Sequence, residues 1–236
     1  MIELITIDLD DTLWDAGPVL ARAEEVQYAW LRANAPRIAA AYTIAELQRY
    51  RRELALADPA LRHDFTALRR AALVRLLTAH RYDPQLATDG IETFLTARSQ
   101  VELYPEIDAA LRDLARTYRL VALTNGNTDL RRAGVAHYFE CAIAPADTGT
   151  SKPDPRMFAA VSARTGVGTD ATVHVGDEPL YDIEGAHRAD VAAIWINRHG
   201  REWPESYRRA AAEIISFDEM RSAIARIEKF KKQAIS

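Results

Sequence analysis

Cysteine is nearly absent: Cys141 stands alone in 236 residues, so no internal disulfide and no cysteine-rich zinc site can be built from this chain. That usage fits a reducing compartment. No apolar run approaches the ~20 residues that span a bilayer, and the opening MIELITIDLDDTLWD has no basic stretch ahead of its apolar residues, as a secretory leader would. Positive charge is not in excess either, with 30 Lys and Arg against 34 Asp and Glu for a net charge of -4. A main partner made of nucleic acid, which demands many phosphate-neutralising cations, is therefore not expected. Internal repeats and low-complexity tracts are missing. A soluble, cytoplasmic, globular protein follows, with 48% hydrophobic and 27% charged residues and a chain long enough for one large domain or two unequal ones.

Glycine is scarce in the first half and concentrated later, with eight of the ten between Gly126 and Gly200. Residues 14–103 contain only Gly17 and Gly90. Their apolar residues recur at helical spacing, with Val19, Ala23, Val26 and Trp30 in one stripe and Phe65, Leu68, Ala72 and Leu76 in another. Thr43 with Glu46 makes a capping-box pattern, and Asp58-Pro59 and Asp83-Pro84 read as helix starts. A block of about four helices is predicted. After Pro105, apolar strand-like runs at 120–123, 141–144, 172–175 and 192–196 alternate with amphipathic helices, and 4–7 makes a fifth. Runs without polar alternation suit strands buried on both faces, joined by helical crossovers. The expected fold is α/β, a Rossmann-like parallel sheet of about five strands with helices on both faces. Residues 1–13 and 104–236 would form this core, with 14–103 as an all-helical insertion after the first strand. Residues 218–232 read as a closing helix with a solvated basic end.

Ligands of an open parallel sheet sit beyond the carboxyl ends of its strands. Four of the predicted strand ends carry chemistry. They are Asp8, Asp10, Asp11 and Thr12; then Thr124, Asn125 and Gly126; then Ser151, Lys152 and Pro153; then Gly176, Asp177 and Glu178, with Asp182 further on. In extended chain Asp8 and Asp10 point to one side, about 7 Å apart. Carboxylates converging without a cation repel, and one takes up a proton. With Asp177 and Asp182 alongside, a hard divalent cation is the natural compensation, and Mg2+ is the one that pairs a few carboxylates with phosphate oxygens. Thr124 could offer its hydroxyl and Asn125 its backbone N–H to a phosphate, while Lys152 supplies a balancing point charge.

These residues together resemble the haloacid dehalogenase superfamily. Its DxDxT motif matches Asp8, Asp10 and Thr12, its strand-end Ser/Thr matches Thr124, its lysine matches Lys152, and its GDxxxxD matches Gly176, Asp177 and Asp182. The resemblance implies that the helical block is a cap that closes over the site. It also implies that Asp8 is a nucleophile forming an aspartyl phosphate and that Asp10 is the general acid and base. Magnesium would be held by Asp8, Asp10 through its backbone carbonyl, and Asp177, with Asp182 in the outer shell; Glu178 could reach it through water. Thr124 and Lys152, with Asn125 and Gly126, would bind the phosphoryl group. An Asp at position 10 favours a phosphatase over a dehalogenase, which attacks carbon and has no leaving oxygen to protonate. A phosphomutase uses the same groups, and a phospho-aspartate receiver is a distant alternative, being much shorter and without the insertion. DLDDTLWD, TNGN, SKPDP and HVGDEPLYDIEGA are similar to bacterial phosphatases of flavin mononucleotide and of the ribitylaminouracil phosphate of riboflavin synthesis. In the same group the cap residues His63 and Arg69 would face the substrate, although the sequence by itself favours a surface His63, a helix-capping Asp64 and a solvated Arg69. Trp14 is expected to pack in the core, His174 to be a satisfied core histidine, and Cys141 to lie in a buried strand. The expected partner is a small phosphorylated metabolite, bound by a monomer or homodimer.

Overall fold

The computed structural model describes residues 1–235. The strands are β1 (Leu4–Ile7), β2 (Arg119–Leu123), β3 (Cys141–Ile143), β4 (Thr172–Gly176), β5 (Ala192–Ile196) and β6 (Ala212–Ile214), in the order β3-β2-β1-β4-β5-β6. Every neighbouring pair is parallel. The helices are α1 (Ala16–Asn34), α2 (Pro36–Ala41), α3 (Ile44–Ala57), α4 (Phe65–Ala79), α5 (Ala87–Arg98), α6 (Ile107–Leu114), α7 (Pro145–Thr148), α8 (Arg156–Thr165), α9 (Gly185–Arg188) and α10 (Met220–Ile235). A π-helical turn, Pro179–Glu184, precedes α9. None of the helices among the described residues is long and apolar enough to cross a membrane.

β1 and β4 are buried along their whole length, which is why their sequences carry no polar alternation. Two expectations are corrected at the sheet edges. β3 is an edge strand, with Cys141 half-buried and Ala142 exposed, so Cys141 is not in a buried strand. A sixth strand, β6, lies in an alanine-rich stretch whose helix propensity masks three residues of pairing against β5. Met157, Phe158 and Val161 of α8 pack with Ile183 and Ala186 against Val121, Leu123 and Trp195. Each large side chain of that layer contributes about 1.5–3 kcal/mol by leaving water.

The chain folds into two compact units: 1–15, 102–126 and 134 onward in one, and 16–101 with 127–133 in the other. The second unit contains five α-helices rather than about four, because Pro36 has no N–H to continue α1 and instead starts α2. Thr43 and Glu46 close a reciprocal capping box, with bonds of 3.3 and 2.8 Å. Asp64 caps α4 by accepting from Ala67 N–H at 2.8 Å. Val26 and Phe65, assigned by spacing to the apolar stripes, are exposed, and the buried side of α1 runs through Val19, Ala23, Gln27 and Leu31. Gly90 is required where α5 meets its neighbours, since a Cβ there would fall 2.7 Å from Leu73 Cδ2 and 2.8 Å from Trp30 Cζ3.

Candidate active site

The site belongs wholly to the sheet unit. A pocket of about 250 Å³ is lined by Asp8, Asp10 and Asp11 after β1, by Thr124 to Gly126 after β2, by Lys152, and by Asp177, Glu178, Tyr181 and Asp182 after β4. These are the carboxyl ends of adjacent parallel strands, where the loops of such sheets converge.

β1 delivers Asp8 directly, its N–H donating to Val175 O at 2.9 Å. The chain then turns tightly, with Asp11 in the left-handed region at φ 60°, which Asp tolerates better than most residues. The turn brings buried Trp14 back so that its indole N–H donates to Asp10 Oδ1 at 2.9 Å, while Thr12 Oγ1 donates to Asp8 Oδ2 at 3.3 Å. Trp14 is a core residue, as the sequence suggested, and it also orients Asp10.

After β2, Thr124 Oγ1 accepts from Gly126 N–H at 2.8 Å, which leaves its own proton for an acceptor in the pocket. Asn125, which lines the same pocket, also has a side-chain task. It clamps the lysine: Nδ2 donates to Lys152 O at 3.0 Å and Oδ1 accepts from Lys152 N–H at 2.7 Å. Lys152 Nζ, essentially inaccessible, lies 2.6 Å from Asp8 Oδ1 and 2.5 Å from Asp182 Oδ1. Asp182 can approach because residue 176 is glycine; a Cβ there would sit 2.2 Å from Asp182 Cγ. Asp182 Oδ2 accepts from Glu178 N–H at 2.9 Å. The π-helical turn, a feature that concentrates at functional sites, carries Asp182 to this position.

One ammonium between two carboxylates leaves one of them undercompensated. Burial alone would raise Asp182, but the Lys152 charge and the His174 and Lys152 hydrogen bonds hold it well below the usual carboxylate range. Burial also works against the Lys152 charge, yet Asp182 and Asp8 push Lys152 up to about 12. Asp8 goes the other way: burial raises it well above 3.8 by more than the shared lysine lowers it, and Asp182 and Asp177 add to the rise. Asp177 is raised to about 7, first by burial and then by Asp182 and Asp11. Carboxylate oxygens of Asp8, Asp177 and Asp182 lie within 4.8 Å of one another. An all-oxygen donor set with unbalanced negative charge fits a hard divalent cation. The side chain of Asp10 is outside this set and is taken by Trp14.

Arg201, which no sequence pattern pointed to, reaches Asp177 Oδ2 at 3.2 Å and also donates to the Asp177 carbonyl. The Trp195 indole N–H donates to that carbonyl at 2.8 Å. Asn197, almost fully buried, places Arg201 by accepting from its N–H and donating to its carbonyl, at 2.8 and 2.9 Å. Glu178 faces Arg201 at 3.4 Å. The two remaining candidates belong to the helical unit. His63 is half-buried in the turn before α4. Arg69 is not solvated: it pairs with Glu24 at 2.6 Å, donates to Gln27 Oε1 at 2.7 Å, and lies 3.4 Å above the Phe94 ring. Neither lines the pocket of the sheet unit.

An almost inaccessible Lys152 between Asp8 and Asp182, with Thr124 and Asp177 lining the same pocket, is therefore the centre of the site. The family model for haloacid dehalogenase-like hydrolases matches residues 2–190, and the chain belongs to that family. It is 30% identical over 199 residues to the 5-amino-6-(5-phospho-D-ribitylamino)uracil phosphatase YigB of Escherichia coli, covering 83% of each chain. It is 38% identical over 130 residues, 52% of each chain, to a phosphoserine phosphatase of Thermus thermophilus. The crystal structure of a 2-haloacid dehalogenase from Pseudomonas syringae superposes with a TM-score of 0.90 at 41% identity, covering 96% of this chain and 99% of that one.

Proposed function

We propose that the protein is a magnesium-dependent phosphatase of small phosphorylated metabolites that works through an aspartyl phosphate. The observation carrying this reading is the buried Lys152 bridge between Asp8 and Asp182 beside Thr124, with the Asp10 carboxylate held on the same loop by Trp14. An Asp8 oxygen attacks phosphorus as the bond to the leaving oxygen breaks, and Asp10 gives that oxygen its proton. Asp10 then takes a proton from the water that attacks the phosphoryl group and releases Asp8. Lys152, the Thr124 hydroxyl and the Gly126 turn steady the equatorial oxygens. Asp8 and Asp177, with the Asp10 carbonyl, would hold Mg2+, which neutralises phosphoryl charge, and Asp182 supports the set from outside. The helical unit, residues 16–101 with 127–133, serves as the cap; the E. coli relative favours a ribitylaminouracil phosphate as substrate, and the motif resemblance adds flavin mononucleotide.

A second reading, a 2-haloacid dehalogenase, is favoured by the 41% identical crystal structure. Phosphate release from flavin mononucleotide, ribitylaminouracil phosphate, phosphoserine, sugar phosphates and nucleotides is measured with Mg2+ and with EDTA, in parallel with chloride release from 2-chloropropionate. Phosphate release that needs Mg2+ and disappears in Asp8→Asn supports the proposal. Chloride release without added metal, and no phosphate release from any ester, overturns it.

A further inference from the structure

His174 is the one buried titratable group of the β4 segment that the proposed chemistry leaves without a task. It is fully buried, and its ring meets Phe158 edge-on at 5.2 Å, so the imidazole is packed in place. Nδ1 lies 2.9 Å from Thr6 Oγ1 on β1, and Nε2 lies 3.1 Å from Asp182 Oδ1. These contacts settle which nitrogen carries the proton. Asp182 is kept ionised by Lys152 and accepts only, so Nε2 must donate to it. A second ring proton would put a full charge on a completely buried ring that shares Asp182 Oδ1 with the Lys152 ammonium, an arrangement that desolvation and like charge both oppose. Nδ1 is therefore an acceptor, and the Thr6 hydroxyl turns toward it in preference to Val173 O, 3.4 Å away. A hydrogen-bonded chain results, from Thr6 through His174, Asp182 and Lys152 to Asp8.

We infer that His174, held as the Nε2–H form by Thr6, is a positioning residue that aims Asp182 at Lys152 and thereby sets the placement of the Lys152 ammonium against Asp8. The inference rests on the phosphatase reading only for its kinetic consequence. Without the Nε2–H donor, Asp182 Oδ1 keeps the lysine alone, the carboxylate can pivot about the Glu178 N–H bond to Oδ2, and the ammonium shifts relative to Asp8. The effect should fall on kcat, because the ammonium acts on the reacting phosphoryl group and not on the leaving group's binding.

The experiment combines imidazole nitrogen NMR of the full chain with kinetics of five variants, four single and one double. Ring nitrogen shifts should show a protonated Nε2 and an accepting Nδ1 for His174; the opposite tautomer overturns the inference. His174→Leu should lower kcat about ten- to a hundredfold, as expected for losing one hydrogen bond to a charged group, with little change in KM. His174→Gln, which offers an N–H at similar reach, should recover most of that loss. Thr6→Val should lower kcat in the wild-type background and add nothing in the His174→Leu background, whereas Thr6→Ser should behave as wild type. If His174→Gln is no better than His174→Leu, or Thr6→Val acts equally in both backgrounds, the residues serve packing alone and the inference fails. Should His174→Leu fail to fold, the remaining variants decide: near wild-type kcat in His174→Gln and Thr6→Ser with a loss in Thr6→Val supports the inference, and Thr6→Val indistinguishable from Thr6→Ser overturns it. A wild-type protein that hydrolyses no phosphate ester would refute the functional reading, while the NMR result would stand or fall by itself.

Discussion

Replacing Lys152 by methionine removes one ammonium while nearly conserving the volume of the side chain. In the native protein that ammonium sits between Asp8 and Asp182 at 2.6 and 2.5 Å, with only 1% of the lysine side chain exposed. Deleting one partner of a buried ion pair costs about 3–5 kcal/mol, because a charge is left uncompensated where water cannot reach it. Here two carboxylates are left facing each other, so the upper end of that range is expected in EDTA at pH 7.5. The sign with pH follows. Both carboxylates would then titrate above their unfolded values, so their penalty is present at neutral pH and is relieved as pH falls toward 4 and they take up protons. Urea unfolding at pH 7.5 and 5.0 should show the deficit of Lys152→Met shrinking at the lower pH. Adding Asp182→Asn to the methionine variant should recover a large part of it at pH 7.5. A deficit below about 1 kcal/mol, or one that does not change with pH, would refute the claim that Lys152 is the charge that makes this cluster tolerable.

Gly176→Ala should displace Asp182, since the added Cβ would lie 2.2 Å from its Cγ; a loss of most activity with a lowered melting temperature is expected, and wild-type kinetics would contradict the geometry. Asp177, raised from 3.8 to about 7, makes the metal-free protein lose stability as pH rises from about 4 to 7, by at most about 4 kcal/mol at ~1.4 kcal/mol per pH unit. Mg2+ should therefore raise the melting temperature more at pH 8 than at pH 5; equal shifts at both pH values would count against a carboxylate-held cation. Trp14→Phe removes the N–H that holds Asp10 Oδ1 at 2.9 Å. Turnover of alkyl phosphates, whose leaving oxygen needs a proton, should fall more than that of nitrophenyl phosphate; equal losses would separate Trp14 from Asp10.

Much of this protein was legible in its sequence because strands buried on both faces leave continuous apolar runs, and ligand-binding loops of a parallel sheet begin where those runs end. Leu4 to Ile7 and Thr172 to Val175 announced the two central strands, and Asp8, Thr124, Lys152 and Asp177 stood at or near the ends of such runs. Propensity hid β6, whose residues favour helix in isolation, and the start of α2 at Pro36 brings the helices of the second unit to five where about four were expected. The partners of each acid were settled only by folding. Asn125 clamping Lys152, Arg201 on Asp177, and Thr6 on His174 are hydrogen bonds between residues well separated in sequence, and such bonds impose no spacing on the chain. Local order is written in the period of apolar residues, which any short window contains. The charge state of Asp8 depends on which side chains share its dry pocket, and that is decided when the sheet brings Lys152 and Asp182 to the end of β1.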